Sequence, residues 1–152
     1  MTNKKEKFEQ TNRLFRIYMK NTQRIFNSYW SKLNLTSQQA RSIAYIYRHP
    51  GLIQRELGDR FHVRNASITN MVKNLERDGY IERKKDKNSA RIKRIYLTQK
   101  GQECAEKSEK LFTKINDQFL KQIDEHDLDM LNEAMTHLID DLEKMDVDFE
   151  IQ

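Results

Sequence analysis

The apolar residues of this chain recur at helical spacing over most of its length, which predicts a mainly α-helical protein. The first apolar stripe, residues 8–33, is broad and aromatic, as expected for a long helix that buries more than one side. A second helix begins after Thr36, whose hydroxyl group and the Gln39 side chain can form the reciprocal hydrogen bonds of a capping box. Pro50 and Gly51 end it, because proline cannot continue a helix and glycine tolerates a left-handed turn.

Two shorter helices follow, joined by a tight turn. The third helix is expected to bury three apolar side chains, Ile53, Leu57 and Phe61. The fourth helix ends near Arg77 and places its apolar residues on one side at 100° per residue. That side consists of Ile68, Met71, Val72 and Leu75. Two short helices joined by a tight turn, of which the second presents small polar side chains, are typical of a helix-turn-helix.

A basic hairpin is predicted directly after the fourth helix. Its first strand starts at Tyr80, its turn covers residues 86–89, and its return strand runs from Arg91 to Thr98. The return strand alternates between two faces with a period of two, as strands do. A hairpin in this position is a wing, so the fold class is mainly α with a small β wing: a winged helix-turn-helix flanked by long N- and C-terminal helices.

The C-terminal third predicts two more helices. Thr98 is placed to cap a helix that extends to about Ile123, and Asp124 is placed to cap the last one. The apolar residues of the last helix alternate in spacing between three and four: Leu128, Leu131, Met135, Leu138, Leu142 and Met145. This heptad pattern is typical of helices packed at a shallow angle. These apolar residues form a seam along the helix, which either covers the protein's own core or forms a dimer interface. The dimer interface is favoured because the segment has no other large domain to cover.

Composition and charge restrict the class of function. A chain of 152 residues with four glycines and one proline suits one largely helical domain. It has no apolar run that approaches the roughly 18 residues of a membrane span. Its basic N-terminus leads into no apolar region, so no secretory signal is expected. Residues 1–98 contain 22 basic and 8 acidic residues, whereas residues 99–152 contain 6 and 15. This asymmetry favours a positive surface that faces a polyanion such as nucleic acid, attached to a segment that stays off it. The single cysteine and the lack of a membrane span favour a cytoplasmic protein without contact with a membrane.

The fourth helix and the hairpin together have the chemistry of a reader of double-stranded DNA, which needs base contacts that specify and phosphate contacts that position. Asparagine can pair with adenine and lysine with guanine in the major groove. The candidate base-contacting residues are Arg64, Asn65, Ser67, Thr69, Asn70 and Lys73. The candidate wing contacts are Lys84, Lys85, Lys87, Arg91, Lys93 and Arg94. Among the latter, Arg91 is best placed to enter a narrow minor groove.

The order of elements resembles the MarR family of winged-helix transcription regulators over nearly the whole chain. The resemblance is densest in Leu35-Thr36 with Gln39, in Leu57, in the segment Leu75-Glu76-Arg77-Asp78-Gly79-Tyr80-Ile81, and in Tyr96-Leu97-Thr98 with Gly101. It implies three segments: an N-terminal dimerisation helix (1–34), a winged helix-turn-helix lobe (35–98) and C-terminal dimerisation helices (99–152).

The resemblance also implies partners. It implies a homodimer that binds an inverted-repeat operator and represses transcription, paired through Phe8, Phe15, Leu128, Leu131, Met135, Leu138 and Leu142. A small aromatic or anionic ligand, bound between the lobe and the dimerisation helices, is expected to release the DNA. The candidate ligand residues are Arg16, Tyr18, Met19, Arg41 and Tyr45.

Two positions depart from the family pattern. Ser89 stands two residues before Arg91, where the family usually has an aspartate, and a serine cannot neutralise the guanidinium charge. Arg64 stands where the family often has a Ser or Asp cap. Asn65 is therefore expected to cap the fourth helix and to shift its start by one residue.

Two other classes of function stay open: a non-specific architectural DNA-binding protein, and a protein-interaction module that uses the acidic last helix. An enzyme is disfavoured, because the chain has no glycine-rich phosphate loop and no Ser/His/Asp arrangement. The histidines lack the spacing of a zinc site, so neither metal nor cofactor is expected. The single cysteine, Cys104, excludes an internal disulfide and is expected to be a buried apolar residue.

Overall fold

A computed structural model describes residues 3–145 of the chain as helices joined to a small antiparallel sheet. The helices are α1 (Lys4–Ser31), α2 (Ser37–Arg48), α3 (Gln54–Phe61), α4 (Asn65–Arg77), α5 (Gln99–Leu120) and α6 (Glu125–Lys144). The strands are β1 (Leu52–Ile53), β2 (Ile81–Lys85) and β3 (Lys93–Leu97). The predicted fold class, a winged helix-turn-helix within a mainly helical chain, is confirmed.

Side-chain caps explain where several helices begin. Thr36 Oγ1 accepts from the backbone N–H of Gln39 at 3.2 Å, and the Gln39 side chain accepts from the Thr36 N–H at 2.9 Å, which confirms the capping box. Thr98 Oγ1 accepts from the Gly101 N–H at the start of α5. Asp124 accepts from the Asp127 N–H at the start of α6, as predicted.

The predicted cap of α4 is wrong. Asn65 is the first helical residue, and the N-cap position is held by Arg64, which has extended backbone angles and makes no side-chain capping bond. The helix therefore starts where the family pattern places it. Its first turn lacks the side-chain acceptor that Ser or Asp would supply, so its first N–H groups remain available to other partners.

The sheet has a third strand that the sequence did not predict. Its order is β1-β3-β2, with β3 in the centre and Leu52 paired with Ile95. Strand β1 has two residues, too few for a period of two to be visible, and it includes Ile53, which was expected in α3. Ile53 and Phe61 are half-buried and not part of the fully buried core, whereas Leu57 is completely buried.

The chain divides into two compact units, Met1–Ser108 and Glu109–Gln152. The core of the first unit lies among α2, α3, α4 and the sheet. Its fully buried side chains include Ile43, Ile46, Leu57, Ile68, Val72, Leu75, Ile81 and Ile95. The second unit contains the later part of α5 and all of α6, and no residue of α6 is buried.

The start of α5 packs very closely against the start of β2. A Cβ atom added to Gly101 would overlap the backbone oxygen of Tyr80, so only glycine fits there. Thr98 Oγ1 donates to the backbone oxygen of Gly79 at 2.5 Å, and the Thr98 N–H donates to the Tyr80 oxygen. These contacts fix the base of the wing to the first turn of α5.

Candidate nucleic-acid interface

Helix α4 presents one polar face to solvent and buries the other. Ile68, Met71, Val72 and Leu75 are buried, as the helical wheel predicts. On the opposite face the structure places the exposed candidate residues Arg64, Asn65, Ser67, Asn70 and Lys73. The sixth candidate, Thr69, is half-buried. The exposed side chains offer both donors and acceptors, which is what base edges in a major groove require.

Thr69 differs from its neighbours because its hydroxyl group already has two partners inside the protein. It donates to the backbone oxygen of Asn65 at 2.8 Å, one turn earlier in α4. It also accepts from Gln54 Nε2, at the start of α3, at 2.7 Å. The local sequence around Gln54 gives no sign of this contact, because the partner, Thr69, lies 15 residues further along the chain.

An ion pair joins the wing, here residues 81–97, to α4. Arg83 donates through Nε and one terminal nitrogen to Glu76 Oε2, at 3.1 and 2.6 Å. These hydrogen bonds are the main reason that the pKa of Glu76 is lowered from its ordinary value, with the charges of Arg83 and Lys93 acting in the same direction. The Arg83 side chain is 24% exposed and that of Glu76 is 37% exposed. Arg83 therefore positions the hairpin relative to the helix.

A second ion pair closes the loop of the wing. Arg94 Nε donates to Asp86 Oδ2 at 2.5 Å, and another guanidinium nitrogen donates to the backbone oxygen of Gly51 at 2.8 Å. Asp86 also accepts from the backbone N–H of Asn88, and these bonds lower the pKa of Asp86. Arg94 is one of the predicted DNA contacts. In the structure its guanidinium group holds together the wing loop and the turn before β1.

The other basic side chains of the wing project into solvent. Lys84 lies 3.1 Å from Glu82 and 5.3 Å from the centre of the Tyr96 ring. Four further candidates are exposed: Lys85, Lys87, Arg91 and Lys93. None of these four forms an ion pair with another side chain among residues 3–145. They therefore remain available to phosphate groups.

A cleft of about 320 Å³ separates the start of α3 from the wing. Its basic lining residues are Arg55, Arg83, Arg91 and Lys93, and its apolar lining residues are Ile53, Ile92 and Ile95. Gln54 completes the lining. The cleft has the chemistry of a sugar–phosphate backbone site, with cations for phosphate and an apolar floor. It joins the wing to the start of α3, which lies outside the surfaces that the sequence assigned to DNA.

The predicted ligand residues lie in two places. Arg41 and Tyr45 belong to a cluster on α2 and α3, where Arg41 lies 5.2 Å over the Phe61 ring and Arg60 lies 5.7 Å over the Tyr45 ring. His49 lies 4.4 Å from Tyr45, between ring centres. Arg16, Tyr18 and Met19 are exposed on α1.

The predicted dimerisation residues are exposed or half-buried, and none of them is fully buried. Phe8 on α1 is 48% exposed, and Leu131 and Leu142 on α6 are 44% and 65% exposed. The remaining four are half-buried: Phe15, Leu128, Met135 and Leu138.

Cys104 is buried, as predicted, and burial raises the pKa of its thiol. Within residues 3–145, no group of three or more His, Cys, Asp or Glu side chains is arranged to hold a metal ion. No helix in that range is long and apolar enough to cross a membrane.

Residues 35–93, which contain the helix-turn-helix and most of the wing, match the model of the MarR family. The match covers 59 of the 152 residues, so the likeness to the MarR family concerns this lobe. The curated relatives that the chain resembles are named as HTH-type transcriptional regulators. A relative from Bacillus subtilis strain 168, the HTH-type transcriptional regulator YybA, is 32% identical over 77 residues, which cover 51% of each chain. The chain thus spans about half the length of the first curated relatives it matches.

Solved structures share the fold, among them two protein–DNA complexes. Streptococcus pneumoniae FabT in complex with DNA has a TM-score of 0.84 at 19% identity, over 91% of this chain and 99% of FabT. The S. aureus MepR–DNA complex has a TM-score of 0.72 at 23% identity, over 86% of this chain and 96% of MepR. At this identity the likeness establishes the winged-helix fold with its long helices.

Proposed function

We propose that this protein is a sequence-specific regulator of transcription that binds double-stranded DNA. The main support is the pairing of two surfaces in one lobe: the exposed polar face of α4 and the basic wing tied to it by Arg83 and Glu76. Helix α4 enters the major groove and reads base edges, while the wing holds the backbone and places Arg91 in the minor groove. The relatives are bacterial, and in bacteria the chromosome lies in the cytoplasm, where we expect the protein to act.

The working form is a homodimer. Helix α6 has a heptad seam and no buried residue, and α1 exposes Phe8. Pairing of these apolar side chains between two copies would remove them from water. A two-fold dimer presents two copies of α4, so its operator is an inverted repeat with half-sites about one helical turn apart.

The protein acts as a repressor that a small aromatic or anionic ligand releases from DNA. Guanidinium groups beside aromatic rings, as at Arg41 over Phe61 and Arg60 over Tyr45, suit an aromatic carboxylate. Arg16, Tyr18 and Met19, on α1, are the other candidate ligand residues.

Selection from a random pool of DNA duplexes tests the function with the full chain. We expect an inverted repeat to be enriched, and an Asn70→Ala variant to bind with altered base preference at one position per half-site. Asn132→Ala, on α6, serves as the matched control and should select the wild-type sequence. If Asn70→Ala retained the full wild-type preference, the assignment of the reading face would be wrong.

Two outcomes would favour the other classes of function, a non-specific architectural DNA-binding protein or a protein-interaction module. Equal affinity for random and selected duplexes would indicate a non-specific architectural protein. A monomer, seen by light scattering during size-exclusion chromatography near the chain mass of 18.3 kDa and not near twice that value, would leave the α6 seam free for another protein.

A further inference from the structure

The hydroxyl group of Thr69 is engaged inside the protein before any DNA arrives. Thr69 Oγ1 donates to the Asn65 backbone oxygen and accepts from Gln54 Nε2, at 2.8 and 2.7 Å. A threonine hydroxyl has one hydrogen to donate and two lone pairs to accept with. Its only hydrogen and one of its lone pairs are therefore already in use.

These two hydrogen bonds also fix the rotamer of Thr69. Oγ1 is held between the backbone of α4 and the side chain of an adjacent helix, so rotation about the Cα–Cβ bond would break both contacts. Thr69 is half-buried, and a part-buried polar group that loses its partners loses as much as one new hydrogen bond to a base would gain. The hydroxyl group is thus poorly suited to donate to a base edge.

The geometry leaves the methyl group of Thr69 as its means of reading DNA. We propose that this methyl contacts the 5-methyl group of a thymine in the major groove, and that Gln54 is the positioning residue that maintains this arrangement. Contact between a threonine methyl and a thymine methyl is a recurring mode of base recognition. The inference rests on the proposed DNA-binding function and adds one base preference to it.

Gln54 suits this role because of where it lies. It is the first residue of α3, it lines the basic cleft with Arg55 and Arg91, and its amide still has one N–H and its oxygen available. A DNA backbone in the cleft would contact the residue that holds Thr69. The side chain therefore links the position of the backbone to the orientation of a base-reading group.

Replacement of thymine by deoxyuridine, which lacks only the 5-methyl group, tests the proposal. The probe is the duplex that the wild-type protein selects from a random pool, with each thymine replaced in turn, and binding is followed by fluorescence anisotropy. We expect one thymine per half-site to be sensitive, with about a fourfold loss of affinity, the value of one buried methyl group.

Three variants separate the methyl group from the hydroxyl group. Thr69→Val has a methyl at both γ positions, and valine has one strongly preferred rotamer in a helix. A methyl therefore stays at this position without the Gln54 bond, and the variant should keep the fourfold preference for thymine over uracil. Thr69→Ser retains only the hydroxyl and should bind both duplexes equally. Gln54→Met keeps the length of the side chain but removes the hydrogen bond. The ratio of affinities for the thymine and uracil duplexes should then fall from about four towards one. Thermal melting by circular dichroism checks that each variant is folded.

The opposite pattern overturns the inference: a thymine preference retained by Thr69→Ser and lost by Thr69→Val would make the hydroxyl group the reader. A wild-type preference in Gln54→Met would remove Gln54 from the role of positioning residue. If the wild-type protein selects a sequence but tolerates uracil at every position, this inference alone fails. If it selects no sequence, the proposed function fails first.

Discussion

The guanidinium group of Arg83 lies 2.6 Å from Glu76 Oε2 and thereby connects the middle of strand β2 to the last turn of α4. The two residues belong to different parts of the predicted interface, the wing and the helix. Two guanidinium nitrogens of Arg83 donate to the same carboxylate oxygen, and both side chains are only partly exposed. The pair therefore constrains the angle between the wing and the helix. Wing and helix can therefore meet DNA as one preformed surface.

Loss of this pair should weaken DNA binding without a change in base preference. Glu76→Gln removes the charge, and we expect a loss of about 1 kcal/mol in the free energy of unfolding, since the pair is partly screened by water. Affinity for the selected duplex should fall because the wing is no longer held in place. Glu82→Gln, which affects the exposed pair with Lys84, is the matched control. Equal effects of the two substitutions on DNA affinity would show that Glu76 does not hold the wing.

The same carboxyl group should make stability depend on pH. The pKa of Glu76 is lowered from its ordinary value of 4.5 by the Arg83 hydrogen bonds. A carboxyl group with a lowered pKa in the folded state stabilises fully above its ordinary pKa, and loses that contribution as pH falls through the lowered value. Urea unfolding between pH 7 and pH 3 should therefore show a steeper loss below pH 5 in the wild type than in Glu76→Gln. In an Arg83→Gln background, the Glu76→Gln substitution should no longer change how steeply the free energy of unfolding falls below pH 5.

Arg91 and Arg94 should respond differently to removal, although both are basic residues of the wing. Affinity falls as salt concentration rises. Arg91→Ala should make this fall shallower by about one unit of log affinity per unit of log salt, because one phosphate or groove contact is lost. Arg94→Ala breaks the bonds to Asp86 and Gly51, so unlike Arg91→Ala it should lower the melting temperature of the protein.

Binding isotherms at several salt concentrations and thermal melts measure the two effects. Lys87→Ala should behave like Arg91→Ala, and Lys121→Ala, outside the interface, should change neither quantity. An Arg94→Ala protein with wild-type melting temperature and a reduced salt slope would mean that Arg94 contacts DNA directly.

Gly101→Ala should destabilise the protein. The added Cβ would overlap the backbone oxygen of Tyr80, and relief requires a shift of α5 or β2, which costs roughly 2 kcal/mol. Gly58→Ala is the matched control, since a Cβ there has its nearest neighbours at 3.6 Å, an ordinary contact. Chemical denaturation of both variants measures the difference, and a Gly101→Ala protein as stable as Gly58→Ala would contradict the close approach.

Local patterns predicted the helices and both faces of α4, because a helical period over 13 residues is long enough to separate Leu75 from Asn70. The two residues of β1 are too few for any period. The charge count along the wing also predicted a basic surface, but it could not tell Arg91 from Arg94. That distinction depends on Asp86, which lies across the loop from Arg94 and becomes its partner only when the hairpin closes. The bond between Gln54 and Thr69 likewise depends on the packing of α3 against α4.

The order of the sheet also affects solubility. Its edges are β1, with two residues, and β2, whose sequence Ile-Glu-Arg-Lys-Lys is highly charged. Short or charged edge strands discourage the addition of a strand from another molecule. Copies of the protein can therefore reach a high local concentration without joining edge to edge into aggregates.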